Sequence, residues 1–525
     1  MTSKAVTDKS EDNVSHWPAS IPEQAPSVMQ ADVAGGPRVV GLVGVALLVL
    51  GVTAILFDLS GSQRFIGLGM GSVLALFGIG AMLFHAAWEP DAQLRRLHGF
   101  FAVALSVAAV VAGFYPAADG TGAAFLPWGP IALFVALLFY LPAIRGETEQ
   151  SWRSAATLLV GALGVAGAGI GLVWGTIDFN FLLPTGLILS LLGLAYLWAY
   201  VTLQGVATDA GFRTGQAIGV AGLVVMIVAV GRSLATRYGW FGVTRDLAYL
   251  TSVGFLLLAV GLLYVQMAVA LCSDRPTVVL FRRELASFFY SPLAYFLLIG
   301  FAVMAFLDYW MFVSNAIDAS RARQPMVEPI VWPYIWGLIP VIFFILTVPL
   351  LTMRLVSEEE RSGTMEMLLT APVDEVPVVL SKFWAAMVVF VLSWSPYYIY
   401  LLALRLGSEQ PFDYRPLISF TIALLCSGAG VISMGLFFSS LTRNQVAAGV
   451  ITAMGMMILT GVYFIKSFLS ATSSWTTVLT YFSYIDLWRN TLQGKLALAD
   501  LVFHVGITVF WLFLTVKVLE SRKWR

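Results

Sequence analysis

Fourteen long apolar runs dominate the chain, each close to the 20 or so residues a helix needs to cross the hydrocarbon core of a bilayer. Eight lie near 39–57, 66–84, 99–115, 124–142, 155–175, 181–202, 215–234 and 247–271. Six more lie near 291–314, 331–355, 378–403, 416–440, 446–466 and 500–518. In lipid every backbone polar group must bond within its own segment or a closed barrel, so runs of this length predict helices. The expected fold is an all-α polytopic membrane protein of about 14 transmembrane helices. Composition agrees, since 11% of the 525 residues are charged where soluble domains carry about 25%. The first 37 residues are polar, with Pro18, Pro22 and Pro26, and read as a disordered cytoplasmic tail, residues 1–37.

Lysine and arginine set the orientation. With the N-terminus in the cytoplasm, the inner side carries Lys4, Lys9, Arg38, Arg95, Arg96, Arg145, Arg153, Arg213, Arg275, Arg282 and Arg283, and the outer side Arg64, Arg232, Arg237 and Arg245. The three arginines between the seventh and eighth spans run against the rule. An even number of spans places both termini in the cytoplasm of a cell with this chain in its inner or plasma membrane. Gly67 and Gly71, then Gly167, Gly171 and Gly175, recur every four residues and predict close helix packing. No Asp, Glu, Lys or Arg stands near the middle of the first eight spans, which argues against an ion-coupled carrier. A net charge of zero offers no basic surface for nucleic acid. Cys272 and Cys426 fall in or beside apolar runs, and none of the four histidines pairs with a cysteine or carboxylate at ligand spacing. No metal, cofactor or catalytic residue is expected on this chain.

Charge concentrates between two apolar runs, in Met353 to Lys382, MRLVSEEERSGTMEMLLTAPVDEVPVVLSK. Its carboxylates cannot lie in hydrocarbon, so it is a surface segment joining two spans. Thr364 to Thr370 reads as a short helix with Met365, Leu368 and Leu369 on one side, stopped by Pro372. An exposed ridge of that kind predicts a docking surface rather than a plain solvated loop. Upstream, residues 278–290 read as a helix lying in the interface. Val279, Leu280, Phe281, Leu285, Phe288 and Phe289 form its apolar face, opposite Arg282, Arg283 and Glu284. Downstream, 467–499 is long for a connection, and Trp475, Tyr481, Tyr484 and Trp488 suit an outer interfacial segment.

EEERSGTMEMLLTAP resembles the coupling segment of ABC-2-type exporter permeases, in which E-E-x-x-x-G-T-x-E-x-L-L-x-x-P precedes the next span. RRELASFFYSPLAY resembles the elbow helix of the gliding-motility, GldF-like branch, and YFSYIDLWRNTLQGKLALADLVFHV looks like its C-terminus. The resemblance covers about residues 275–525. It implies a permease domain at 273–525 with an elbow helix at 278–290, a coupling segment at 353–375 and an outer interfacial segment at 467–499. Residues 38–272 then form an eight-helix N-terminal module outside the usual family plan.

The resemblance further implies cytoplasmic ABC ATPase subunits as partners, together with a second permease copy or a sister permease. ATP and Mg would be bound on the partner ATPase, because this chain has no phosphate-binding loop: its one Gly-Lys pair, Gly494 and Lys495, is followed by Leu496. The implied docking residues are Glu358, Glu359, Glu360, Arg361, Gly363, Thr364, Glu366, Leu368, Leu369 and Pro372, with the acids meeting basic groups of the ATPase. Arg282, Arg283 and Glu284 mark the elbow. The expected function is the permease subunit of an exporter, not an enzyme. The alternative is a non-transporting scaffold that anchors a motility, secretion or envelope complex. A pathway without charged lining would suit lipids or hydrophobic cargo.

Overall fold

Helices account for nearly all of the described chain, and the elements follow the apolar runs. The computed structural model describes residues 27–59, 70–89, 91–114, 126, 128–177, 182–205, 208–239, 252–322, 330–365, 374–407, 412–466, 468 and 474–523. Among them, thirteen helices are long and apolar enough to cross a membrane, and Val73–Trp88 is a shorter apolar one. The first eight long helices are α1 Ser27–Leu59, α2 Met70–Trp88, α3 Ala92–Phe114, α4 Trp128–Arg145, α5 Gln150–Ile177, α6 Leu182–Gln204, α7 Asp209–Tyr238 and α8 Ser252–Cys272. After them come α9 Pro276–Tyr290, α10 Pro292–Arg321, α11 Val331–Ile335, α12 Leu338–Thr352, α13 Ser357–Ser362 and α14 Glu375–Gly407. The last five are α15 Arg415–Ser440, α16 Gln445–Lys466, α17 Ser474–Phe482, α18 Tyr484–Leu492 and α19 Leu498–Lys523.

The chain forms two compact units, Met1–Gly164 and Val165–Arg525. This division falls within α5, upstream of the sequence boundary at 272/273.

In the first unit, polar groups gather where helices end. Arg38 reaches the Glu89 carboxylate at 3.2 Å, and Arg95 donates to the Glu89 carbonyl at 2.6 Å. His85 also meets Glu89, at 3.0 Å, and its other ring nitrogen lies 2.8 Å from His98. A histidine does pair with a carboxylate here, contrary to the sequence expectation, because residues 85 and 89 are one helical turn apart. No described cluster of three or more such residues could hold a metal ion. Arg96 grips Glu147, in the turn between α4 and α5, at 2.7 and 2.8 Å. The Arg96 bonds, helped by the backbone N–H groups of Glu149 and Thr148, hold the Glu147 carboxyl down from 4.5 to about 2. A depressed carboxylate stabilises the fold above its ordinary range, and that contribution is lost as pH falls through the folded value. The melting temperature of the detergent-solubilised chain is therefore expected to drop as pH falls from 4.5 towards 2. Glu147→Gln should flatten that part of the profile, and an unaltered slope would contradict this account.

In the second unit, the small residues flagged by spacing work inside the bundle. A Cβ on Gly193 of α6 would stand within 3 Å of the backbone of Gly167 and Ala168 in α5, so only hydrogen fits there. Gly171 makes the same kind of approach to Ser190. One arginine that ran against the charge rule also finds its place: Arg232 donates to the carbonyl of Thr176 near the end of α5. Unpaired carbonyls and the helix dipole favour a cation at that position.

The core of helices α10 to α19 is aromatic. Phe344 of α12, Trp394 of α14, Phe420 of α15 and Trp488 of α18 pack with ring centroids 4.8 to 5.6 Å from Trp488. Tyr484 joins them at 4.9 Å from Phe344 and donates to or accepts from Thr460 at 2.8 Å. This corrects the expectation for the 467–499 segment. Trp475 and Tyr481 stay exposed, but Tyr484 and Trp488 are fully buried in the bundle. Helix α18 starts on a Ser483 cap that accepts from Asp486 N–H at 3.2 Å, and Asp486 pairs with Lys466 at 2.6 Å.

Candidate functional site

The charged segment after α12 folds back against its own bundle. Thr352 ends the apolar helix, residues 353–356 turn, and α13 carries three glutamates in its first turn, where the helix dipole favours them. The backbone N–H groups of Val356 and Ser357 are capped from outside the segment. Ser439 of α15 accepts from both at 3.2 Å. Gly363 closes α13 at φ 76°, a left-handed conformation that glycine adopts without strain. Thr364 then turns back, donating to the Glu359 carbonyl at 3.3 Å.

Two of the three glutamates point into the chain. Glu359 lies 2.8 Å from Lys382 Nζ and 3.3 Å from Arg283. Lys382, near the start of α14, is 1% exposed and holds a second carboxylate, Glu284 of α9, at 3.1 Å. Glu360 takes Arg443, just before α16, at 3.2 Å and Arg522 of α19 at 2.7 Å. Arg522 also donates to the Ser440 carbonyl at the end of α15. Two glutamates one residue apart therefore tie α13 to α9, α14, α19 and the turn before α16. The lysine sits between two carboxylates, an arrangement in which each group is withdrawn from water and each has a partner.

The implied docking residues divide. Glu358 and Arg361 are exposed, and Glu358 forms no ion pair among the described residues. Glu359 and Glu360 spend their charge within the chain. Met365 is buried in the bundle core, so it does not belong to an exposed ridge. Glu366, Leu368, Leu369 and Pro372 lie outside the described residues.

Helix α9 covers the residues read as an elbow, 278–290, and is opened by Pro276 at its first turn. Its charges are arranged differently. Glu284 is buried on the same face as Phe281, Leu285 and Phe288, because positions three and four apart share a helix face. Arg282 donates to the carbonyls of Leu271 and Ser273 at 3.3 and 2.6 Å, closing the end of α8 rather than facing headgroups.

Sequence reasoning missed Lys382, Ser439 and Arg522 as members of this site. Lys382 had a signal: a lysine at the start of an apolar run needs a partner.

This geometry can carry force and fix position. Comparison with curated proteins found no match, and neither did comparison with solved structures. Residues 332–517, from α11 almost to the end of α19, match the family model described as ABC-2 family transporter protein, so this part of the chain is similar to the membrane component of ABC transporters.

Proposed function

We propose that the chain is the membrane-spanning subunit of an ATP-binding cassette exporter, driven by a separate ATPase that docks on the segment following α12. The observation that carries this reading is the placement of α13. One short helix, with Glu358 and Arg361 left on its surface, is joined by ion pairs to the elbow helix and to three other regions of the same bundle. A push on that helix from the membrane surface is transmitted at once to α9, α14 and α19. Glu366, Leu368 and Leu369 continue the contact surface, with the leucines in a groove of the ATPase. ATP and Mg bind on that partner. The chain works beside a second copy or a sister permease in the inner or plasma membrane, with both termini in the cytoplasm. On the residues of the elbow and of the C-terminus, we place it with the gliding-motility permeases.

A pull-down from native membrane in mild detergent, followed by mass spectrometry, tests the assembly. The expected companion is a subunit with a phosphate-binding loop, lost when Glu366→Lys and Leu369→Asp are combined. If no such subunit co-purifies, the reading fails and a non-transporting scaffold takes its place.

A further inference from the structure

In the second half of α10, one acidic side chain is buried with no cation beside it among the described residues. Asp308 sits in the second half of α10, inside the apolar run, and is 9% exposed. It accepts one hydrogen bond, from the Tyr397 hydroxyl of α14 at 2.7 Å. Among the described residues no lysine or arginine pairs with it, unlike every other buried carboxylate of this unit: Glu284 has Lys382, and Asp486 has Lys466.

The surroundings are aromatic. Tyr334 of α11 lies within electrostatic reach of Asp308 and packs 5.7 Å from Tyr397, and its buried hydroxyl has no hydrogen-bond partner among the described residues. Tyr309 stands edge-on to Tyr334 at 6.2 Å and stacks on Tyr400 of α14 at 5.2 Å. Tyr309 and Tyr400 are only half-buried, so the cluster runs from the bundle surface inwards to the carboxylate.

An ionised carboxylate in an apolar span calls for a positive partner, and tyrosine faces attract cations through their ring quadrupoles. Small metal ions draw on several oxygen ligands, whereas here a single carboxylate lies among aromatic side chains. We propose that Asp308, Tyr334, Tyr397, Tyr309 and Tyr400 form a binding site for an organic cation, an ammonium-bearing amphipathic molecule whose charge is met by Asp308. Resting on the exporter reading, this assigns the class of cargo: amphiphiles that carry a positive head. The buried Tyr334 hydroxyl supplies a polar contact to the same head.

The test uses the purified full chain in detergent and rhodamine 6G, a fluorescent organic cation, read by fluorescence polarisation. Saturable binding is expected, weakened about tenfold or more by Asp308→Asn, since removing one partner of a buried charge pair mainly speeds release. Asp308→Glu should retain most of the affinity, and an uncharged dye of similar size should not respond to either variant. Melting curves of both variants separate loss of the site from loss of the fold. No saturable binding to the unaltered chain, or equal binding to Asp308→Asn, overturns the proposal and leaves a neutral structural carboxyl. Neither result depends on the ATPase. Failure to recover that subunit, with Asp308-dependent binding intact, removes the exporter reading and keeps the site.

Discussion

Lys382→Met is expected to destabilise the chain by about 3–5 kcal/mol, the usual cost of breaking a buried ion pair from one side. The substitution preserves length and apolar stem, so packing changes little. Charge does change. Glu284 and Glu359 now face one site from which the cation has gone, and Arg283, 61% exposed, is left as the cation beside them. Desolvated like charges repel, and water must enter or α13 must swing out. Unfolding midpoints of the purified protein in detergent measure the effect, and a variant that melts like the parent contradicts the site as described. Lys382→Met combined with Glu284→Gln and Glu359→Gln removes the charges together. Neutral replacement of a whole buried network is often tolerated, so this triple variant is expected to recover most of the stability. If α13 transmits force through these ions, the triple variant also uncouples: ATP hydrolysis by the co-purified partner no longer responds to the permease. The two readouts separate a structural clamp from a transmission element.

How much of this site was legible depends on where each residue's partner lies. The apolar runs marked the helices well, because hydrocarbon thickness fixes a length and composition that show in any window. A helix over 278–290 was visible for a related reason, since its amphipathic period is local. Glu284 was not read correctly, although its spacing to Phe281 and Phe288 already put it on the buried face. The expectation that a charge turns outward prevailed, because its partner is 98 residues further along the chain (382 − 284 = 98). Glu359 and Glu360 share that history: a run of acids looks like surface until cations from four other regions arrive around it. Asp308 is a different case. Its burial follows from lying in an apolar run, but the tyrosines around it come from three helices, and no spacing within one of them announces the cluster.

Trp488→Ala is expected to cost about 3–5 kcal/mol, and the loss should fall on the packing of α18 into the bundle. The indole is 1% exposed and touches rings from three long helices, Phe344, Trp394 and Phe420, as well as Tyr484 one turn away. Its Nε1 donates to Ser427 Oγ at 3.0 Å, a hydrogen bond made inside the core. In a membrane the gain on assembling helices comes from close van der Waals packing rather than from escape of apolar surface from water. A cavity in this cluster therefore removes much of what holds α18 in place. Trp488→Phe separates the two contributions. It keeps most of the ring contacts and loses the donor, while Ser427 can still donate to the Leu424 carbonyl, so the expected loss is about 1 kcal/mol. Unfolding midpoints of both variants, with accessibility of a cysteine placed at exposed Trp475, report stability and the position of the segment together. If α18 is an outer interfacial segment, as the aromatic composition of 467–499 first implied, Trp488→Ala leaves the midpoint unchanged. If it is the plug of aromatic side chains described above, the midpoint falls, and the cysteine reports α17 loosening with it.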